Sequence, residues 1–118
     1  GKTLVSTTVG IAQDEGFLSI SDTSSDYLDS NWSSLTTEKQ DLITVKHHLS
    51  MSTGLKDYVG QTLKWICTQP SCFDYEADAG ERWAYHQGAF TLLKDVVTNA
   101  TKTDFTNYLF LLYQITNQ

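Results

Sequence analysis

Three histidines, two cysteines and a Ser-Thr-Gly turn are the residues of this sequence whose types first invite chemistry. His47 and His48 are adjacent, and neighbouring positions on a helix point about 100° apart, so the two do not converge on one ion. His86 stands far along the chain, and Cys67 and Cys72 lie at no finger-like spacing from it. Two thiols are also too few for a structural zinc site. Structural roles are expected for the histidines, with His48 partly buried, and no metal site is expected. Cys67 and Cys72 flank the short loop Thr68-Gln69-Pro70-Ser71, which lets them pair in an oxidising compartment. The alternative is two unpaired thiols, one buried beside Trp65 and Ile66, because spacing alone does not give the Cα separation that decides the matter. Ser52-Thr53-Gly54 lacks the G-x-S-x-G strand–turn–helix of a nucleophile elbow. It is expected to stop a helix.

The elements that position these residues are bounded by composition. The 118 residues carry 14 Asp and Glu against 8 Lys and Arg, a net charge of −6. The cations are scattered, whereas a protein that neutralises many phosphates needs a basic stripe, so nucleic acid is not expected as a partner. No apolar run approaches the roughly 20 residues that span a bilayer. Gly1-Lys2-Thr3-Leu4-Val5 shows no signal-peptide pattern. Either the chain is cytoplasmic or a targeting segment lies outside it. A 40% hydrophobic content suffices for a core at this length, and one proline with seven glycines argues against disorder. Residues 1–118 are expected to form a single helical domain or subdomain.

Apolar periodicity predicts the elements. Leu4, Val5, Thr8, Val9, Ile11 and Ala12 predict a helix over residues 3–15, with Gly16 as its C′ stop. A short extended segment is expected over 14–20, and one helical turn over 24–28. Thr36-Thr37-Glu38 starts a short helix, and Thr44 caps another over 45–51 in which Val45, His48, Leu49 and Ser52 share a face. Tyr58, Val59, Leu63 and Ile66 predict a helix over 56–68, followed by a polar loop over 69–82. Ala89, Leu93, Val96, Val97 and Ala100 form the clearest stripe. Thr103 is read as the cap of a last helix, with Phe105, Tyr108, Leu109 and Leu112 on one face and Phe110, Leu111 and Tyr113 on the others. A helix apolar all round is normally covered on several sides. The expected architecture is mainly α, a compact bundle of five or six short helices with long loops and little or no sheet.

Four segments resemble one family. Leu42-Ile43-Thr44-Val45-Lys46-His47-His48-Leu49-Ser50-Met51-Ser52-Thr53-Gly54-Leu55 is similar to the I-T-[IV]-[RK]-H-x-L-[ST]-x-[ST]-[ST]-G-L signature of the serine β-lactamase-like family, which includes class C β-lactamases, DD-peptidases and related esterases. Ala79-Gly80-Glu81-Arg82-Trp83-Ala84-Tyr85-His86-Gln87 resembles its P-G-x-x-[WF]-x-Y-[SH]-N segment, and Gly88-Ala89-Phe90-Thr91-Leu92-Leu93 the x-x-[YF]-x-L-L helix after it. Gly16-Phe17-Leu18-Ser19-Ile20-Ser21-Asp22 resembles the G-[KL]-L-x-L-x-D stretch after the nucleophile helix. The resemblance covers nearly the whole chain and implies the all-helical subdomain of that fold. In the family's S-x-x-K motif the lysine sits one helical turn after the nucleophilic serine and assists its deprotonation.

Lys2 matches that lysine, so the serine falls two residues before Gly1 and is absent from the chain. Tyr85 matches the tyrosine of Y-x-N, implied to move protons to and from the serine and the leaving group. Gln87 takes the asparagine position, where one extra methylene shifts the amide. The third family element, a K-T-G or H-x-G strand, has no counterpart after Tyr85. The resemblance therefore implies catalytic positions at Lys2, Tyr85 and Gln87, no cofactor, and a chain inactive by itself. Its parent would be a hydrolase of β-lactams, peptidoglycan peptides or esters, periplasmic or secreted. Asn31-Trp32-Ser33 and Asn99-Ala100-Thr101 match the glycosylation acceptor pattern, chance matches in a protein of bacterial type. The expected partner is the α/β domain of that parent. The alternative is a stand-alone interaction module that self-associates or binds a partner through the apolar surface near Phe110, Leu111 and Tyr113.

Overall fold

Val5, Thr8, Val9 and Ala12 form the buried stripe of α1 (Lys2–Asp14) in the computed structural model, which describes residues 1–58 and 60–116, the side chains of Thr62 and Thr116 apart. The helix stops as the glycine requires. Gly16 takes φ +85°, its N–H bonds the Gln13 carbonyl at 3.0 Å, and the Phe17 N–H bonds the Ala12 carbonyl at 3.0 Å. This paired closure satisfies carbonyls that the helix end leaves open. The extended segment expected over 14–20 is instead a turn. The Ile20 N–H goes to the Gln13 side chain at 2.7 Å and its carbonyl accepts from the Lys46 N–H at 2.9 Å, so neither backbone group of Ile20 is left for a strand partner.

A 3-10 turn, Ser24–Asp26, follows at the expected place. α2 (Thr37–Gln40) is capped by the Thr36 hydroxyl, and α3 (Val45–Leu49) begins at Thr44. α3 ends two residues early because Met51 adopts φ +57°. Val45 and His48 of its expected face are buried and Leu49 and Ser52 are partly so. His48, expected partly buried, is fully enclosed.

The helix expected over 56–68 shrinks to one turn, α4 (Thr62–Trp65). Lys56 is drawn away by a backbone hydrogen bond to Asp74 (2.8 Å), Leu55 bridges Tyr75, and Gly60 turns the chain at φ +86°. Leu63 and Ile66 are 84% and 55% exposed, so their helical spacing marks no buried stripe. Val59, also placed in that helix, lies outside the described residues. Cys67 and Cys72 form a disulfide with Cα atoms 6.2 Å apart, closed around a 3-10 turn at Pro70–Cys72.

α5 (Gln87–Thr101) is the axis of the molecule and packs against α1, α3 and α6 (Phe105–Thr116). Its Leu93, Val96 and Val97 meet Val5, Val9 and Ala12 of α1 and Phe105 and Tyr108 of α6 in one core. Its Ala89 and Leu92 join Trp32, Ile43, Leu55 and Phe73 in a second. Each large side chain so enclosed contributes about 1.5–3 kcal/mol. Asp104, not Thr103, caps α6: its carboxylate accepts from the Thr106 N–H at 3.1 Å, while the Thr103 N–H bonds the Thr101 hydroxyl. The chain is thus mainly α, with two isolated bridges and no strand among the described residues. No helix among the described residues is long and apolar enough to cross a membrane.

Candidate active site

Lys2 opens α1 and Gln87 opens α5, so the packing of those helices brings together residues 85 positions apart. Tyr85 and Gln87 share one side because the intervening His86 is extended, at φ −139° and ψ 97°. Alternate side chains in extended backbone point to opposite sides. His86 accordingly turns inward and caps α5, its Nδ1 accepting the Ala89 N–H at 3.0 Å. Its ring is buried 5.6 Å from that of Phe73.

The three residues meet at one atom. Lys2 Nζ donates to Gln87 Oε1 at 2.7 Å, and the Tyr85 hydroxyl donates to the same oxygen at 2.9 Å. Lys2 Nζ also lies 4.7 Å from the centroid of the Tyr85 ring and 5.8 Å from that of Phe90, within cation–π range. Thr91 fixes which way the amide faces. Its hydroxyl donates to the Gln87 carbonyl at 3.0 Å and accepts from Gln87 Nε2 at 3.4 Å, which leaves Oε1 for Lys2 and Tyr85. Beside this group runs a cavity of about 540 Å³ between α1, α5 and α6, whose lining includes Lys2, Val5, Gln87, Phe90, Thr91 and Phe105.

Two proton-bearing groups therefore converge on a neutral acceptor that takes neither proton. The lysine keeps two further N–H donors and the phenol its lone pairs, all available to a third group placed beside them. Thr91, Phe90 and Trp65, whose ring lies 5.8 Å from that of Tyr85, have no role at the site in the reading of the sequence. Thr91 stands four residues after Gln87, a spacing at which helical side chains meet, and that signal could have found it. No spacing links Trp65 to Tyr85.

The histidines are occupied separately. His47 Nδ1 accepts the Thr44 N–H at 2.9 Å, and burial lowers the affinity of its ring for a proton. His48 Nδ1 donates to the Ala89 carbonyl at 2.7 Å and Nε2 accepts from the Ser24 hydroxyl at 2.8 Å. Burial pushes its pKa down to about 4. Among the described residues no group of three His, Cys, Asp or Glu side chains could hold a metal ion. Ser52-Thr53-Gly54 forms a turn in which Gly54, at φ +83°, accepts from the N–H groups of Glu76 and Ala77.

This helical frame and the sequence agree on a family. The beta-lactamase family model matches residues 1–109, and the chain belongs to that family. Among solved structures it is similar to a D-stereospecific amidohydrolase from Streptomyces sp., at 16% identity and a TM-score of 0.72, covering 91% of this chain and 37% of that one. It is also similar to a penicillin binding protein from Bacillus halodurans, at 22% identity and a TM-score of 0.67, covering 91% of this chain and 34% of that one. The chain thus spans about a third of the length of these structures, and the likeness is one of fold. No curated protein matches the sequence.

Proposed function

We propose that this chain is the helical subdomain of a serine β-lactamase-like hydrolase, and that Lys2, Tyr85 and Gln87 are the proton-transfer side of its active site. The observation that supports this best is the convergence of Lys2 Nζ and the Tyr85 hydroxyl, at 2.7 and 2.9 Å, on one amide oxygen. In this reading an S-x-x-K serine would stand one helical turn before Lys2, on the side of both groups. As its oxygen bonds the acyl carbon of a β-lactam, peptide or ester, its proton passes to whichever of Lys2 and Tyr85 is in the basic form. That proton is then returned to the leaving nitrogen or oxygen. Gln87 holds both groups in register. The 118 residues carry this half of the site without the nucleophile, and by themselves they do not turn over substrate.

A second reading is favoured by α6, where Phe110, Leu111, Tyr113 and Ile115 are 58%, 51%, 66% and 65% exposed. Such a face suits a stand-alone interaction module that pairs with a second copy. The codons upstream of Gly1 separate the two. A serine two residues before Gly1 is the expected result. Another residue there, together with a concentration-dependent dimer in sedimentation, would favour the interaction module.

A further inference from the structure

The Trp65 backbone N–H closes the turn on the Gln61 carbonyl at 2.8 Å, but no hydrogen bond among the described residues fixes its side chain. Its indole N–H is buried and meets no acceptor among the described residues. α4, the single turn that carries it, is far shorter than a helix stable by itself. Its neighbours Leu63 and Ile66 are exposed, so burial does not anchor the segment either. Two contacts and one covalent bond tie the segment to Tyr85, to the start of α5 and to Cys72. The indole ring lies 5.8 Å from the Tyr85 ring at an interplanar angle of 36°. The Cys67 carbonyl lies against Gly88 at the start of α5, where a Cβ would come within 2.4 Å of its oxygen. The Cys67–Cys72 disulfide ties that carbonyl's residue to Cys72, which is itself buried.

We propose that Trp65 is a positioning residue for Tyr85, and that the Cys67–Cys72 disulfide holds Trp65 in place. The inference rests on reading Tyr85 as a proton-transfer group. A phenol reaches its partner through two rotatable bonds, so the 2.9 Å hydrogen bond to Gln87 persists only if the ring is supported laterally. Trp65 supplies that support from a segment whose own structure is weak, and the disulfide makes up the deficit. Gly88 completes the arrangement, since any side chain there would push the loop off α5 and carry the indole away from Tyr85.

The test compares Trp65→Ala, Trp65→Phe and the Cys67→Ser/Cys72→Ser pair with the unaltered protein by aromatic NMR, reading cross-peaks from the Tyr85 ring to the Gln87 and Lys2 side chains. Trp65→Ala is expected to lose these cross-peaks while signals from the His48 region stay in place. Trp65→Phe restores them. The double-serine variant weakens them and the Trp65–Tyr85 cross-peaks together. Tyr85 cross-peaks at full strength in Trp65→Ala would overturn the proposal. If Trp65→Ala does not fold, the double-serine variant decides, and unchanged Trp65–Tyr85 cross-peaks there would overturn the role of the disulfide. None of these readouts uses turnover, so this inference and the catalytic reading of Tyr85 fail separately.

Discussion

At the scale of single residues, Gln87 and His48 show how this chain uses neutral polar groups. Gln87 offers one oxygen to two donors and has its own amide directed by Thr91. His48 spans Ser24 and Ala89 from inside the protein and so joins the first turn after α1 to the start of α5. Both its ring nitrogens are satisfied with the ring neutral, Nδ1 donating and Nε2 accepting, and full enclosure away from water penalises the charged form. Burial holds the folded pKa at about 4 against an ordinary value of 6.5. The unfolded state therefore binds the proton first. The stabilisation is fully present above pH 6.5 and is lost progressively as pH falls toward 4.

The shift corresponds to about 3 kcal/mol. His47 and His86, also lowered by burial, add in the same direction. Asp22, Asp57, Asp74 and Asp78 are lowered by hydrogen bonds and act only near and below their ordinary 3.8, while Asp95, raised by burial, acts above 3.8 and offsets part of the histidines' loss there. Unfolding in denaturant at a series of pH values should show stability falling between pH 6.5 and 4, with a shallower slope in His48→Gln. A flat profile over that interval would contradict this account of His48.

Among elements, the legible ones are those whose side chains bury along one stripe. α1 and α5 were readable because Val5, Val9, Leu93, Val96 and Val97 recur at helical spacing and face a core. Gly16 was readable because a positive φ ends a helix. Residues 56–68 show the same spacing without the burial: Leu63 and Ile66 face outward, and the segment is shaped by the Leu55–Tyr75 bridge and the disulfide, contacts that local periodicity does not encode. Lys2, Tyr85 and Gln87 could be marked only through family resemblance, and Trp65 not at all, because its tie to Tyr85 is purely tertiary.

The turn after α3 gives a sharper test of element geometry. A Cβ on Gly54 would stand 2.1 Å from the Ala77 carbonyl oxygen, in a backbone at φ +83° that disfavours side chains. Gly54→Ala should therefore cost about 2–4 kcal/mol in chemical denaturation. Gly16→Ala, with nothing within 4 Å of the new Cβ, should cost about 1 kcal/mol. Equal losses at the two positions would show that the Gly54–Ala77 approach is not as close as described.

For the whole molecule, the proposed function makes this helical unit one side of a hydrolase site. α5 contributes to both cores and begins at Gln87, so the residue on which Lys2 and Tyr85 converge is mounted on the most enclosed element of the fold. α6 turns one side to the first of those cores and leaves Phe110 and Leu111 more than half exposed. We infer that these 118 residues hold the proton-transfer side of a serine hydrolase site and no activated nucleophile. Intact mass after separate incubation with a fluorophosphonate and with a penicillin tests it most directly. An unmodified mass is expected in both cases; a stoichiometric adduct with either reagent would show that the chain activates a nucleophile of its own and would overturn this reading.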